Sequence, residues 1–237
     1  MFNKNVTQVL SEINGITNSI IVKYPVTVAV SESQDMMIHV NISKLDTDSF
    51  EEFGIKDSLG DFLSLFKLFG DERTVQIDGN SINVSDKNVA SSYIVDNVTL
   101  MDAYNKDPEQ FTKTESVPTV GSFVLTPDDI KTIKSGAGVF KDLSEVVFTS
   151  RDGDISVALA ATNKFNAKSN TFSVTKEAET SKEFEVKIPV DNFKMLPVAE
   201  YRVDIKYNSA RDSYRILMHS KTLEDFKVLL TDRKSVV

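Results

Sequence analysis

The sequence predicts an α+β protein of two similar domains, each an antiparallel sheet with two helices on one face. Three observations carry this. The same order of elements occurs twice. Residues 126–188 read helix, hairpin, strand, strand, followed by the helical piece V-D-N-F-K-M-L-P and a second hairpin; the first half offers an early helix, a hairpin, a strand, the helix K-D-S-L-G-D-F-L-S-L-F-K-L-F and another hairpin. Such a repeat sets the architecture before any motif does. Short segments of period two outnumber segments of helical period. The 237 residues suit two domains of about 115 each. The expected division is 1–104, a connector over 105–121, and 122–237.

In order along the chain, residues 4–15 form a helix, because Val6, Val9, Leu10 and Ile13 share one stripe, Lys4, Gln8 and Ser11 lie opposite, and Gly15 offers a stop. Val26, Val28 and Val30 alternate with Thr27 and Ala29, as do Ile38, Val40 and Ile42 with His39 and Asn41; a polar cluster turns between the two strands. Phe50–Ile55 reads as a short strand. The second helix spans 56–69, with Leu59, Phe62, Leu63 and Phe66 on one face. Thr74–Ile77 and Ile82–Val84 form a hairpin around Asp78-Gly79, a pair suited to tight turns because Gly accepts positive φ. Val89–Val95 is a further strand.

Residues 105–121 carry two prolines, many polar side chains and no period, which reads as a connector. Thr126 then caps a helix with Pro127 at its first position and Asp128 and Asp129 at the positive end of its dipole; Ile130, Ile133 and Ala137 face inward, and Gly136 and Gly138 weaken its end. Asp152-Gly153 turns the next hairpin. A strand over Asn170–Thr175 and the alternating Phe184, Val186 and Ile188 follow. Phe193 and Met195 belong to a short fourth helix ended by Pro197. Tyr201–Ile205 pairs with the strand through Tyr214, Ile216 and Met218, and Phe226, Val228 and Leu230 finish the sheet.

No enzyme site is legible. The two histidines, His39 and His219, sit apart in strand patterns. No Gly-rich loop opens a helix after a strand, and neither a nucleophile elbow nor a paired-histidine zinc motif occurs. Capping and solvation account for the carboxylate clusters Asp128-Asp129 and Asp46-Thr47-Asp48. There are no cysteines, hence no disulfide framework or thiolate metal site, and no cofactor is expected. No apolar run approaches the roughly 18 residues of a membrane span, and the N-terminus lacks the order of a signal peptide. A cytoplasmic protein is expected.

The net charge of −8 argues against a phosphate-binding surface unless the 27 Lys and Arg gather on one face. Every predicted helix carries lysine: Lys4 on the first, Lys56 and Lys67 at the borders of the second, Lys131 and Lys134 on the third, Lys194 on the fourth. Lysines on a solvated face are also ordinary.

Several segments taken in order add a resemblance. F-N-K-N-V-T-Q-V-L-S-E-I-N-G-I-T-N-S-I-I-V-K, H-V-N-I-S, F-G-I-K-D-S-L-G-D-F-L-S-L-F and I-P-V-D-N-F-K-M-L-P-V-A-E-Y-R-V-D-I are similar in pattern to the DNA sliding clamp of T-even-type tailed phages, a polymerase processivity factor. The likeness runs through nearly the whole chain and departs at the longer connector and at Ser11, where a base is expected. It implies the DNA-clamp fold and a homotrimer whose six similar domains form a pseudo-six-fold ring around double-stranded DNA. Helices would line the hole, bringing Lys4, Lys56, Lys67, Lys131, Lys134 and Lys194 to the DNA. The implied partners are a replicative DNA polymerase, an ATP-driven clamp loader and late-transcription factors, in the cytoplasm of an infected host cell. The alternatives are a structural virion or assembly protein built from α+β repeats, and a single-strand binding protein. The latter is disfavoured because the 15 phenylalanines fall mostly at core-like positions.

Overall fold

The computed structural model describes residues 3–46, 49–69, 73–151, 153–161 and 172–232. Thr47 and Asp48 of the acidic cluster, Asp152 of the predicted turn, and Asn170 and Thr171 of the predicted strand lie outside the described residues. The chain divides into two compact units, Met1–Glu109 with Glu224–Phe226, and Gln110–Leu223 with Lys227–Val237.

The first unit opens with α1 (Lys4–Asn14), capped by the Asn3 side chain, which accepts from the amides of Asn5 and Val6. The stripe Val6, Val9, Leu10 and Ile13 is buried. Strands β1 (Ile20–Val22), β2 (Val26–Val30) and β3 (Met36–Asn41) follow, then a single turn of helix, α2 (Ile42–Leu45), where the pattern suggested that the strand continues. β1 is buried at all three positions, so no alternation announced it. β2 pairs with β3, and Thr27 is buried although it reads as the polar face; its hydroxyl donates to the Lys23 carbonyl and accepts from the Lys23 amide, both at 2.9 Å.

β4 (Phe53–Ile55) pairs antiparallel with β1. The second helix, α3, spans Leu59–Phe66 rather than 56–69. Asp57 takes a left-handed conformation, φ 55°, and interrupts the run. Ser19 holds it there: the Ser19 hydroxyl donates to Asp57 Oδ1 at 2.9 Å and accepts from the Asp57 amide at 2.8 Å. A three-stranded meander follows: β5 (Thr74–Asp78), β6 (Ser81–Ser85) and β7 (Ala90–Ile94), with Gly79 at φ 55° in the first turn. α1 packs on α3, and α3 on β7.

The stretch read as an irregular connector contains a helix, α4 (Glu109–Glu115), with Phe111 and Thr114 buried. Two apolar or small anchors a turn apart are too few for a period to show. β8 (Thr119–Leu125) follows, beginning inside the predicted connector. α5 (Pro127–Val139) starts at Thr126 with a reciprocal capping box: Asp129 N–H donates to Thr126 Oγ1 at 3.2 Å, and Thr126 N–H to Asp129 Oδ2 at 2.8 Å. The second unit is completed by β9 (Glu145–Arg151), β10 (Asp154–Ala160), β11 (Phe172–Glu177), β12 (Glu179–Thr180), β13 (Glu185–Pro189), α6 (Val190–Met195), β14 (Tyr201–Asn208), β15 (Ser213–Ser220) and β16 (Phe226–Thr231).

These strands form two antiparallel sheets rather than one. The first has the order β11-β10-β9-β13, and α5 and α6 lie on one of its faces, touching each other. The second runs β12-β8-β14-β15-β16. β8 makes the difference, because it pairs with β14 through Leu125↔Tyr201 and Phe123↔Val203. α5 continues past Gly136 to Val139; an added Cβ at Gly136 would sit 3.0–3.1 Å from the Phe172 ring, so glycine lets the helix approach β11. The order helix, strands, helix, strands thus occurs in both units, α1 and α3 answering to α5 and α6.

Candidate nucleic-acid interface

Each unit turns a mainly polar helix surface to solvent. In the first unit, α1 exposes Lys4, Asn5, Gln8 and Ser11, while α3 and its cap expose Asp61, Ser64 and Lys67. In the second, α5 exposes Asp128, Lys131, Thr132 and Ser135, and α6 exposes Asp191 and Lys194. The spacing follows from the buried stripes: once i, i+3, i+4 and i+7 face the core, the remainder faces water.

The predicted lysines fare differently. Lys4 and Lys67 meet at one groove of about 330 Å³ between α1 and α3, with Gln8, Ser11 and Leu63 in its lining. Lys131 and Lys194 are exposed on their helices, but each has an acid one turn before it: Lys131 Nζ lies 3.5 Å from Asp128 Oδ1, and Lys194 Nζ 3.2 Å from Asp191 Oδ1. Such exposed pairs are worth about 0–1 kcal/mol, so an incoming phosphate competes readily for the ammonium. Lys134 is placed otherwise than expected. It is half-buried, and its ammonium donates to the carbonyl of Leu196, the C-cap of α6, tying α5 to α6. Lys56 also differs: with Asp57 breaking the run, it lies outside α3, and its amide donates to Asp96 Oδ2 at 2.8 Å.

Arg73 joins the Lys4–Lys67 groove, its guanidinium 5.0 Å from the centre of the Phe66 ring. It stands beyond the helix, ahead of β5, where no period marked it. A base a few residues after a helix that ends on an aromatic residue is the signal that could have found it.

The helices are close to neutral in a chain of −8. Within α1, α3, α5 and α6 stand Lys4, Lys131, Lys134 and Lys194 against Glu12, Asp61, Asp128, Asp129 and Asp191. Asp129 is further neutralised by Lys176, whose ammonium lies 2.7 Å from its Oδ2. Burial would push the Asp129 carboxyl up, but the Lys176 ammonium and the Thr126 donors outweigh it and hold it below its ordinary range. Polar, nearly neutral helix faces such as these, each on its own unit of an acidic protein, permit loose, sequence-independent contact with a polyanion without gripping it.

The histidines stay apart, His39 on β3 and His219 on β15. Among the described residues, no group of three or more His, Asp or Glu side chains could hold a metal, and no helix is long and apolar enough to cross a membrane.

No protein-family model matches the chain, and no curated protein matches it in sequence. Solved structures match it in fold. Its fold is similar to Proliferating Cellular Nuclear Antigen (PCNA) from Entamoeba histolytica, with a TM-score of 0.66 and 8% identity over 96% of this chain and 94% of that chain. It is similar to A. fulgidus PCNA, solved with the C-terminal region of FEN-1 bound, at TM-score 0.62 and 14% identity, covering 96% and 94%. The Helicobacter pylori beta clamp, solved with a DNA ligase peptide, matches at TM-score 0.64 and 11% identity, covering 97% of this chain and 64% of that chain. From α1 to β16, this chain has the fold of the DNA sliding clamps.

Proposed function

We propose that this protein is a DNA polymerase processivity factor: a ring of three copies that encircles duplex DNA and tethers a replicative polymerase to it, making and breaking no bond itself. The observation that carries the reading is the repeat of a helix pair on a strand framework, α1 with α3 and α5 with α6, in a chain matching PCNA over 96% of its own length and 94% of the other's. Three copies of two such units supply twelve helices for one inner surface, lined by Lys4, Lys67, Lys131 and Lys194, with Arg73 added. Lys56 and Lys134 are weaker members, the first outside its helix and the second engaged by Leu196.

Edge strands support assembly. β7 ends the meander of the first unit and β11 ends the four-stranded sheet of the second. Around β7 stand Val89, Ile94 and Leu100, exposed by 47%, 80% and 79%, and near β11 lies Val139 at 73%. An edge that pairs on one side only among the described residues, with apolar neighbours, invites a complementary strand, here β11 of a second copy against β7. The resemblance to T-even-type phage clamps adds an ATP-driven clamp loader and late-transcription factors as partners, in an infected host cell. FEN-1 and DNA ligase segments bound to similar clamps suggest that partners dock through short peptides.

Sedimentation without DNA, over a wide concentration range, tests the ring. A species near three times the 26.4 kDa chain mass is expected. A monomer up to high micromolar would remove topological DNA binding, and a large polymer would favour an assembly protein.

A further inference from the structure

Four cations surround a recess of about 270 Å³ in the second unit, beside α4 and the β14–β15 turn: Lys113, Lys206, Arg211 and Arg215. Among the described residues lining it there is no Asp or Glu. Lys206 is 7% exposed, yet its ammonium meets only neutral oxygens, the Glu115 carbonyl at 3.1 Å and Thr119 Oγ1 at 2.9 Å. Arg215 is half-buried and donates one N–H to Thr114 Oγ1 at 3.0 Å, which leaves most of its fork undirected. Arg211, on the exposed turn, brings a like charge; burial first, and then Arg211, disfavour the charged form of Arg215. The neighbouring acids face other partners. Glu115 Oε1 lies 2.6 Å from Lys227 Nζ, and Asp212 accepts from the Tyr207 hydroxyl at 2.9 Å. Among the described residues, no carboxylate pairs with Lys206, Arg211 or Arg215.

A buried cation without a counter-ion, as Lys206 is, costs stability, and an open recess beside it recovers that cost when an anion enters. We propose that this recess binds a carboxylate carried by an acidic segment of a protein partner. Guanidinium forks match carboxylates in a planar, two-point manner. The recess admits a side chain or a chain end, whereas the phosphates of a duplex sit on a stiff convex backbone that cannot enter it. The surrounding protein is acidic, so an acidic segment is repelled elsewhere and concentrated here. The choice of a peptide rests on the partner-docking part of the proposed function; the anion chemistry does not.

The probe is a fluorescein-labelled acidic peptide, such as six glutamates with a free C-terminus, followed by anisotropy on the full chain beside an uncharged peptide of equal length and a duplex oligonucleotide. The acidic peptide should bind, weaken steeply with salt, and lose at least tenfold in affinity with Arg211→Gln/Arg215→Gln; Arg211→Gln alone, on an exposed turn, should lose about threefold if the double variant misfolds. Equal binding of the uncharged peptide would overturn the proposal. So would Kd values within twofold of the unaltered protein for both variants, or a duplex that displaces the peptide and is itself weakened tenfold by them. Because the readout is peptide binding at any oligomeric state, its failure leaves the ring to be judged by sedimentation, and a monomeric protein would leave this result standing.

Discussion

Asp128 and Asp191 pair with Lys131 and Lys194, two of the lysines proposed to line the hole, and on that proposal removing both carboxylates should tighten DNA binding. In Asp128→Asn/Asp191→Asn, Lys131 and Lys194 lose the acids now 3.5 and 3.2 Å away. A trimer would lose six negative charges from its inner surface. At one Debye length, about 8 Å at physiological salt, a carboxylate and a phosphate repel by about 0.5 kcal/mol in water, which screening lowers to about 0.2 kcal/mol. Six such terms come to about 1 kcal/mol, or about fivefold in affinity. The same acids sit in the first turns of α5 and α6, where each is worth about 0.3–1 kcal/mol to its helix, so the variant should also unfold at lower urea. The assay is equilibrium anisotropy on a linear duplex with free ends, where a ring threads on and off and contact energy alone is read. Unchanged or weaker binding by a variant that still sediments as a trimer would refute the placement of these helix faces against DNA.

The remaining expectations concern the fold. Gly138→Ala should stabilise α5 by about 0.5–1 kcal/mol, since a Cβ there meets nothing within 4 Å. Gly136→Ala should fail to stabilise and cost about 1 kcal/mol or more, because the new methyl presses on the Phe172 ring at 3.0–3.1 Å; urea midpoints compare the two directly. Burial, and then Lys227, hold His219 below its ordinary value near 6.5. Between that lowered value and about 6.5 the unfolded chain binds more protons than the folded one, so stability rises with pH across the window and is lost as pH falls through it. His219→Gln should flatten this slope in urea titrations between pH 5 and 7.5, and an unchanged slope would exclude His219 as its source.

Local pattern made much of the chain legible. The buried stripe of α1, the Thr126 cap of α5 and the alternation of Phe184, Val186 and Ile188 need only neighbours in sequence, because helical and extended backbones present side chains at fixed periods. What escaped is what distant residues impose. β1 is buried on both faces and has no period to show. Ser19 fixes Asp57 from 38 residues away and so moves the start of α3, taking Lys56 off the helix. Leu196 claims the Lys134 ammonium from 62 residues away.

The sequence by itself determined the repeat, the fold class and which stripe of each helix meets the core, since apolar side chains must leave water wherever the chain goes. Tertiary structure alone decided which lysines remain available to a ligand. It placed Arg73 beside Lys4 and Lys67, and it assembled the cationic recess from Lys113, Lys206, Arg211 and Arg215, across strands and turns whose separation no spacing rule spans. The reason is physical: an ammonium or guanidinium is spent on whatever acceptor the fold brings within hydrogen-bond reach, and that reach is short compared with the chain that connects the partners.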